Sequence, residues 1–345
     1  MKWTLTEIAS FINQRWLFAV LVLLGLVSFG LIIYKFILTP GKSSPIILPF
    51  EKLEIKKLPT LSKLPQTMDF SSLKTEEMPK NLPVFNLEKK ALSGEDAILI
   101  AKKLGISQNP NETRDAELGI IYYFYQRPLS LTVQESQFRF TKAIAPQGNI
   151  PTQEQAEIIA QNFLKNMGFG EDLEIDRENI KYFSSDSPKS LPPADTNIDI
   201  IQIPFINKIQ DIPVLGNDPK ENLFYVRVSR DGEVTGLKYT ILPDNKKLGE
   251  FPTLNSKEAQ VAFLKGEAVL SYLLAKDDEG AETASDYKVS SVSLTGAKPA
   301  YLFQPKDKTL QPVYVFWGHT KMDQGKSGEI AFYVPGIKRT NQTRF

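Results

Sequence analysis

The chain has 345 residues, of which 42% are hydrophobic and 23% are charged, a composition typical of globular proteins rather than disordered, collagenous or coiled-coil chains. Its 41 Lys and Arg residues nearly balance its 40 Asp and Glu residues, which argues against a general nucleic-acid binder. The lack of cysteine excludes disulfide scaffolds, thiol nucleophiles and Cys-rich metal sites, and a single histidine excludes His-rich metal sites.

An apolar run over residues 16–38 predicts a single transmembrane helix. A helix of that length rises about 34 Å, which is enough to cross a hydrocarbon core of about 30 Å. An aromatic side chain stands near each end, where amphipathic rings favour the membrane interface, and a lysine follows. The residues predicted to anchor the chain in the bilayer are Trp16, Leu24, Gly25, Tyr34 and Lys35.

The segments on either side of this run predict the topology. Residues 1–15 would form a short cytoplasmic tail, because large trailing domains are translocated with little regard to their charge. Residues 39–66 contain five prolines among Ser, Thr and Lys, which indicates an extended stalk. The rest of the chain is therefore predicted to lie outside the cell membrane.

Three later segments share one design, in which a capped amphipathic helix is followed by several strands. The helices are predicted to begin at Ser93, Thr152 and Asn255, each followed by apolar residues on one helical face. This order predicts an α+β fold with three tandem modules, each of one helix packed on an antiparallel sheet. The predicted modules are residues 67–148, 149–252 and 253–345.

A hairpin is predicted in the second module, where two alternating runs, residues 223–228 and 234–241, flank an Asp-Gly pair. The helix units resemble PepSY-type modules. The order of residues 223–239 (LFYVRVSRDGEVTGLKY), 255–259, 289–294 and 310–318 (LQPVYVFWG) is similar to that of the membrane-anchored YycH/YycI regulatory proteins and of other single-pass bacterial proteins of that plan. The resemblance covers residues 90–345 at the level of pattern. It implies a domain outside the membrane that binds partners, and it implies no catalytic residues.

Few residues suggest chemistry. His319 follows a strand-like run and is interpreted as an ordinary residue at a strand edge, with a role as base or ligand as the alternative. The acidic run at residues 277–279 lacks the alternating spacing of a calcium loop, and residues 109–115 lack its glycine and final glutamate. The sequence therefore predicts no catalytic residue, no metal site and no cofactor.

An aromatic run near the C-terminus is the candidate partner surface. Alternation along a strand would bury about half of these side chains and leave the others for a protein partner. The residues of this candidate surface are Tyr314, Phe316, Trp317 and His319.

These observations favour a non-catalytic, membrane-anchored regulator or protein-interaction module of the bacterial envelope. It would contact the bilayer through residues 16–38 and another envelope or membrane protein through its outer domain, with no nucleic acid and no small-molecule substrate. Two alternatives are a structural component of a division or secretion assembly and an envelope hydrolase that uses carboxylates.

Overall fold

β-Strands make up about half of the chain that the computed structural model describes. The described part is residues 67–338 except 89–90, 117, 144, 146, 186, 188, 276–287 and 306. All of these residues fall within one compact unit, Glu51–Phe345. The predicted tail, membrane segment and stalk, together residues 1–66, lie outside the described residues.

The described elements alternate between long runs of strands and single helices. The first half contains β1 (Thr67–Asp69), β2 (Lys74–Thr75), β3 (Asn81–Glu88), α1 (Gly94–Lys103), β4 (Asn111–Asp115), β5 (Gly119–Gln126), β6 (Leu129–Val133), β7 (Gln137–Lys142), α2 (Gln153–Asn166), β8 (Leu173–Ile175), β9 (Lys181–Phe183) and β10 (Ser190–Leu191). The second half contains β11 (Ile200–Ile209), β12 (Ile212–Leu215), β13 (Phe224–Ser229), β14 (Val234–Thr240), β15 (Asp244–Pro252), α3 (Ser256–Ala262), β16 (Val269–Ala275), β17 (Val289–Leu302), β18 (Thr309–Met322) and β19 (Ser327–Pro335).

The three helices begin at the caps that the sequence predicts. Ser93, Thr152 and Asn255 each accept a hydrogen bond from the backbone three residues later, and that later side chain bonds back to the cap. These reciprocal bonds satisfy backbone donors that a helix start leaves free, so they fix where each helix begins. The predicted helix positions are confirmed.

The predicted hairpin is also confirmed. Strands β13 and β14 pair in antiparallel fashion on either side of a turn in which Asp231 and Gly232 have φ angles of 60° and 72°. Aspartate and glycine tolerate this left-handed backbone better than most residues, which explains why the chain reverses here.

One antiparallel sheet, called sheet I, carries helices α1 and α2 on one face. Its strand order is β4-β5-β6-β7-β14-β13-β11. Both β8 and β9 lie along the outer side of β11, and β10 follows β9. Apolar side chains of both helices and of the sheet form one continuous core, which includes Ala101, Phe138, Leu164 and Val226.

A second sheet, called sheet II, is built from the C-terminal strands in the antiparallel order β16-β19-β18-β17. Three short strands from earlier in the chain, β1, β2 and β12, pair in parallel along the other edge of β17. Strand β3 pairs with β15 and with the start of β18. Helix α3 and the turn after it pack on one face of sheet II, in a core that includes Phe263, Phe316 and Phe332.

The fold class predicted from the sequence is wrong, because the structure does not consist of tandem helix-on-sheet modules. Strand β12 pairs with β11 of sheet I and with β17 of sheet II, so the two sheets are parts of one large mixed sheet. Strand β7, which precedes α2, pairs with β14, so strands on both sides of α2 share sheet I. Strands β1 and β2, near the start of the described chain, instead join sheet II. The sequence pattern shows which face of each strand is buried but not which strand lies beside it, and this explains the error.

None of the helices in the described part of the chain is long and apolar enough to cross a membrane. Within the described residues, this finding contradicts the prediction of a single-pass membrane protein. The segment from which that expectation came, residues 16–38 with its five anchor residues, lies outside the described residues.

A buried carboxylate on α2 gives the stability of the fold a predictable pH dependence. Glu157 accepts hydrogen bonds from Arg177 at 2.8 Å (Nη2) and 3.2 Å (Nε), and these bonds hold the pKa of Glu157 below its usual value. A lowered folded-state pKa stabilises the protein above the unfolded pKa of about 4.3, and this stabilisation disappears as pH falls through the folded pKa.

We therefore expect Glu157→Gln to lower the thermal midpoint at pH 7, with a difference from the unchanged protein that shrinks below about pH 4. Thermal unfolding followed by circular dichroism at a series of pH values measures this. Glu171→Gln, at an exposed position, serves as the matched control. An equal loss for Glu157→Gln at pH 7 and at pH 3 would contradict the role given to this ion pair.

Candidate ligand-binding cleft between the two sheets

A cleft of about 780 Å³ lies between the helix-free face of sheet I and one face of sheet II. Its first wall comes from β9, β11 and β13, and its second wall comes from β16, β18 and β19. The loop at residues 216–222, called the strap, contributes side chains between the two walls. Its volume is within the range of about 300–1,000 Å³ that is usual for ligand sites.

Strand alternation explains why polar side chains face this cleft. On β13, Phe224, Val226 and Val228 are buried in the core of sheet I, so Tyr225 and Arg227 point to the opposite face. The result is a core-forming strand whose other face supplies a cation and an aromatic ring to the cleft wall.

Arg227 is held in place from three sides. Its Cζ atom lies 5.1 Å from the ring centroid of Phe183 and 5.2 Å from that of Tyr225, and its Nε donates to Gln202 Oε1 at 2.9 Å. Gln202 is only 4% exposed, so this acceptor is fixed. Among the described residues, Gln202 is the one acceptor bonded to this guanidinium. The side chain is therefore oriented while much of its hydrogen-bonding capacity is unused.

Two lysines stand near Arg227. The pKa of Lys181 is lowered, chiefly by burial, and the positive charges of Lys220 and Arg227 add to this effect. The negative charges of Asp218 and Glu221 act in the opposite direction. Lys181, Lys220 and Arg227 therefore bring three basic side chains to the sheet I wall and the strap, beside the carboxylate of Glu221.

The strap is tied to both sheets. Glu221 accepts a hydrogen bond from Lys238 of β14 and another from Arg139 of β7 at 3.0 Å. On the other side, Lys220 Nζ lies 3.4 Å from Glu329 of β19, and the Tyr333 hydroxyl donates to the backbone oxygen of Gly216 at 2.6 Å. These contacts hold the strap between the two sheets.

A buried carboxyl shapes the strap itself. Asp218 Oδ1 accepts a hydrogen bond from the backbone N–H of Lys220 at 2.7 Å, which closes a tight turn. Burial is the largest influence on the pKa of Asp218 and raises it. Asp218 does not line the 780 Å³ cleft, so its structural role is to shape the turn that presents Lys220 and Glu221.

The buried amine of Lys238 yields a prediction for the strap. Lys238 is 3% exposed, and burial lowers its pKa while Glu221 opposes that effect. We expect Glu221→Gln to lower the free energy of unfolding by about 1–3 kcal/mol, because the buried amine then lacks its carboxylate partner. Lys238→Met should cost less, because it removes the buried charge together with the need for a partner.

Denaturant unfolding of the two variants and the unchanged protein makes this comparison. A larger loss for Lys238→Met than for Glu221→Gln would show that the ion pair contributes net stability rather than neutralising a buried charge.

The structure separates the four residues of the predicted partner surface. Tyr314 and Phe316 are fully buried in the sheet II core, where the Tyr314 hydroxyl accepts from the backbone N–H of Met78 at 3.1 Å. Trp317 is half-buried and lines a smaller cavity of about 140 Å³ on the other side of the strap. His319 is exposed and lines the 780 Å³ cleft.

The structure places only one of the two other segments weighed for chemistry. Residues 277–279 lie outside the described residues, and residues 111–115 form the exposed edge strand β4. The structure instead brings together Lys181, Lys220 and Arg227, which the sequence analysis did not single out. The alternation of apolar and polar residues around Arg227 is the sequence signal that could have pointed to this side chain. It does not indicate that a second sheet lies opposite Arg227.

Comparison with known proteins adds no family to these observations. The chain matches no protein-family model and no curated protein sequence. The similarity to the YycH/YycI proteins stays a prediction from the sequence.

Proposed function

We propose that this protein is a non-catalytic binding module, acting as a regulator or interaction module of the bacterial envelope, and that its cleft holds a segment of a partner protein. The observation that carries the proposal is the cleft itself, with an oriented arginine and aromatic side chains on one wall and His319 on the other. Arginine and aromatic residues are the types that dominate the energetics of protein interfaces.

The carboxylates of the cleft favour binding over hydrolysis. Glu221 is engaged by Lys238 and Arg139, and Glu329 lies beside Lys220. A hydrolase that uses carboxylates needs one group that can donate a proton and another that can accept it. Both carboxylates of the cleft already contact cations, and these contacts suit them to hold the strap between the sheets.

The location of the module outside the cell membrane is a prediction from the sequence. The segment on which the predicted location outside the cell membrane depends is within residues 1–66, beyond the described part of the chain.

In-cell photo-cross-linking tests the proposed function. A benzoylphenylalanine placed at His319 lies in the cleft, and one placed at Leu264 is exposed on the turn after α3, whose helix packs on the other face of sheet II. We expect a discrete cross-linked partner from the His319 position and a much weaker one, or none, from the Leu264 position. Cross-linking of the same partner mainly from Leu264 would place the binding surface elsewhere and overturn the proposal.

A further inference from the structure

We infer that Arg227, Lys181 and Lys220 form a recognition site for the carboxylate side chains of an extended acidic peptide segment. The inference rests on the proposed function, because it names the chemistry of the partner segment that the cleft holds. It is carried by the arrangement of the three cations and by the contrast between the two cleft walls.

Arg227 offers the geometry that a carboxylate needs. A guanidinium is planar and can donate two parallel hydrogen bonds to one carboxylate. The rings of Phe183 and Tyr225 and the amide of Gln202 hold this group in one orientation, so little side-chain freedom is lost when a ligand binds.

The two lysines extend the site along the wall. Lys181 on β9 lines the same cleft as Arg227 and Lys220, whose positive charges repel its own, while the charges of Asp218 and Glu221 attract it. A bound anion would relieve this repulsion. Lys220 already shows a preference for a carboxylate, because its amine lies 3.4 Å from Glu329 across the cleft. A peptide carboxylate would compete with Glu329 for the same amine.

The opposite wall indicates a peptide rather than a small anion. Tyr272 and Leu274 of β16 line the cleft beside the polar residues His319, Ser327 and Glu329, so part of the sheet II wall is apolar. Successive side chains of an extended peptide point in opposite directions. A segment that alternates acidic and apolar residues would therefore direct its carboxylates to the cations and its apolar side chains to Tyr272 and Leu274. A single phosphate ion would contact only one wall of a 780 Å³ space.

Calorimetric titration of the full-length chain tests the inference. The probe is a blocked peptide of sequence Glu-Leu-Glu-Leu-Glu, and its matched control is Gln-Leu-Gln-Leu-Gln. We expect the acidic peptide to bind at least about tenfold more tightly than the control, with an affinity that falls as salt is raised. Inorganic pyrophosphate is titrated in the same way, to test whether the cleft prefers a small phosphate anion to a peptide.

Variants assign the binding to the three cations. Arg227→Gln should weaken binding of the acidic peptide at least about tenfold, and Arg227→Lys should weaken it less, because the charge remains while the planar fork is lost. Lys181→Gln provides a second variant if Arg227→Gln does not fold. Lys246→Gln, at an exposed position on β15 outside the cleft, should leave binding unchanged.

Equal binding of the two peptides, or no binding of either, would overturn the inference, as would an unchanged affinity of both cation variants. Pyrophosphate binding as tight as that of the acidic peptide would identify a site for small phosphate anions and would also overturn it. If His319 cross-links a partner while the charge of the peptide has no effect, the inference fails and the proposed function stands. Cross-linking mainly from Leu264 would instead remove the proposed function.

Discussion

Phe263→Ala is expected to lower the free energy of unfolding by about 3–5 kcal/mol, the largest effect of any single change considered for this protein. Phe263 is 0% exposed at the end of α3, and its ring lies 5.6 Å from Phe70, 5.2 Å from Phe316 and 5.0 Å from Phe332, between centroids. All three contacts have edge-on geometry, which adds to the area that the ring buries. Truncation would leave a cavity among rings that belong to three separate parts of the chain.

The neighbouring Leu264 supplies the control for that experiment. It is 66% exposed, so Leu264→Ala should change the free energy of unfolding by less than about 0.5 kcal/mol. Urea unfolding of both variants gives the two values. Similar losses at the two positions would mean that the turn after α3 does not pack on sheet II as the structure shows, and would also weaken the placement of Phe70 in that core.

Leu164→Ala is expected to cost about 2–5 kcal/mol. Leu164 is 2% exposed on the inner face of α2, in the core that this helix shares with α1 and sheet I. Because both helices contribute to one core, the loss should appear as a single cooperative transition of lower stability rather than as melting of one separate module.

Gln161→Ala is the matched control on the outer face of the same helix. Gln161 is exposed, so its replacement should change stability by less than about 0.5 kcal/mol. If Leu164→Ala produced two separate unfolding transitions, the continuous sheet I would be contradicted and a tandem arrangement would be favoured.

The sequence predicts the helices and the β13–β14 hairpin because their signals are local. Capping residues, apolar spacing and an Asp-Gly turn act within a few positions, so each can be recognised without knowledge of the rest of the chain. Residues 290–294 and 300–302 are two stretches of extended chain. The structure joins them into one long strand, β17, through a bulge between Leu294 and Gly296.

Strand β17 contains both a glycine and a proline, Gly296 and Pro299. Pro299 lies between the stretch of β17 that pairs with β2 and the stretch that pairs with β12. Proline has no backbone N–H to donate, and at this position neither parallel strand requires one. The partners themselves could not be predicted, because they are short strands more than 80 residues away along the chain, and nothing in their composition selects β17 as a neighbour.

The cleft could not be predicted for a related reason. The alternation that turns Tyr225 and Arg227 away from the sheet I core is visible in the sequence, and it predicts a polar face on β13. That this face lies opposite β16, β18 and β19 is set by pairings between distant strands and by the strap. Of the predicted partner surface, Tyr314 and Phe316 are core residues, in line with the expectation that about half of the run is buried, and binding through the other residues stays a prediction.

Hydrogen–deuterium exchange of the full-length chain, alone and with the partner captured from His319, tests most directly whether the cleft is the binding site. We expect amide exchange to become slower on binding in β9, β13, β18, β19 and the strap. The exchange rates of α1, α2 and the turn after α3 should not change. Slower exchange confined to the helices, with the cleft walls and the strap unchanged, would contradict this expectation.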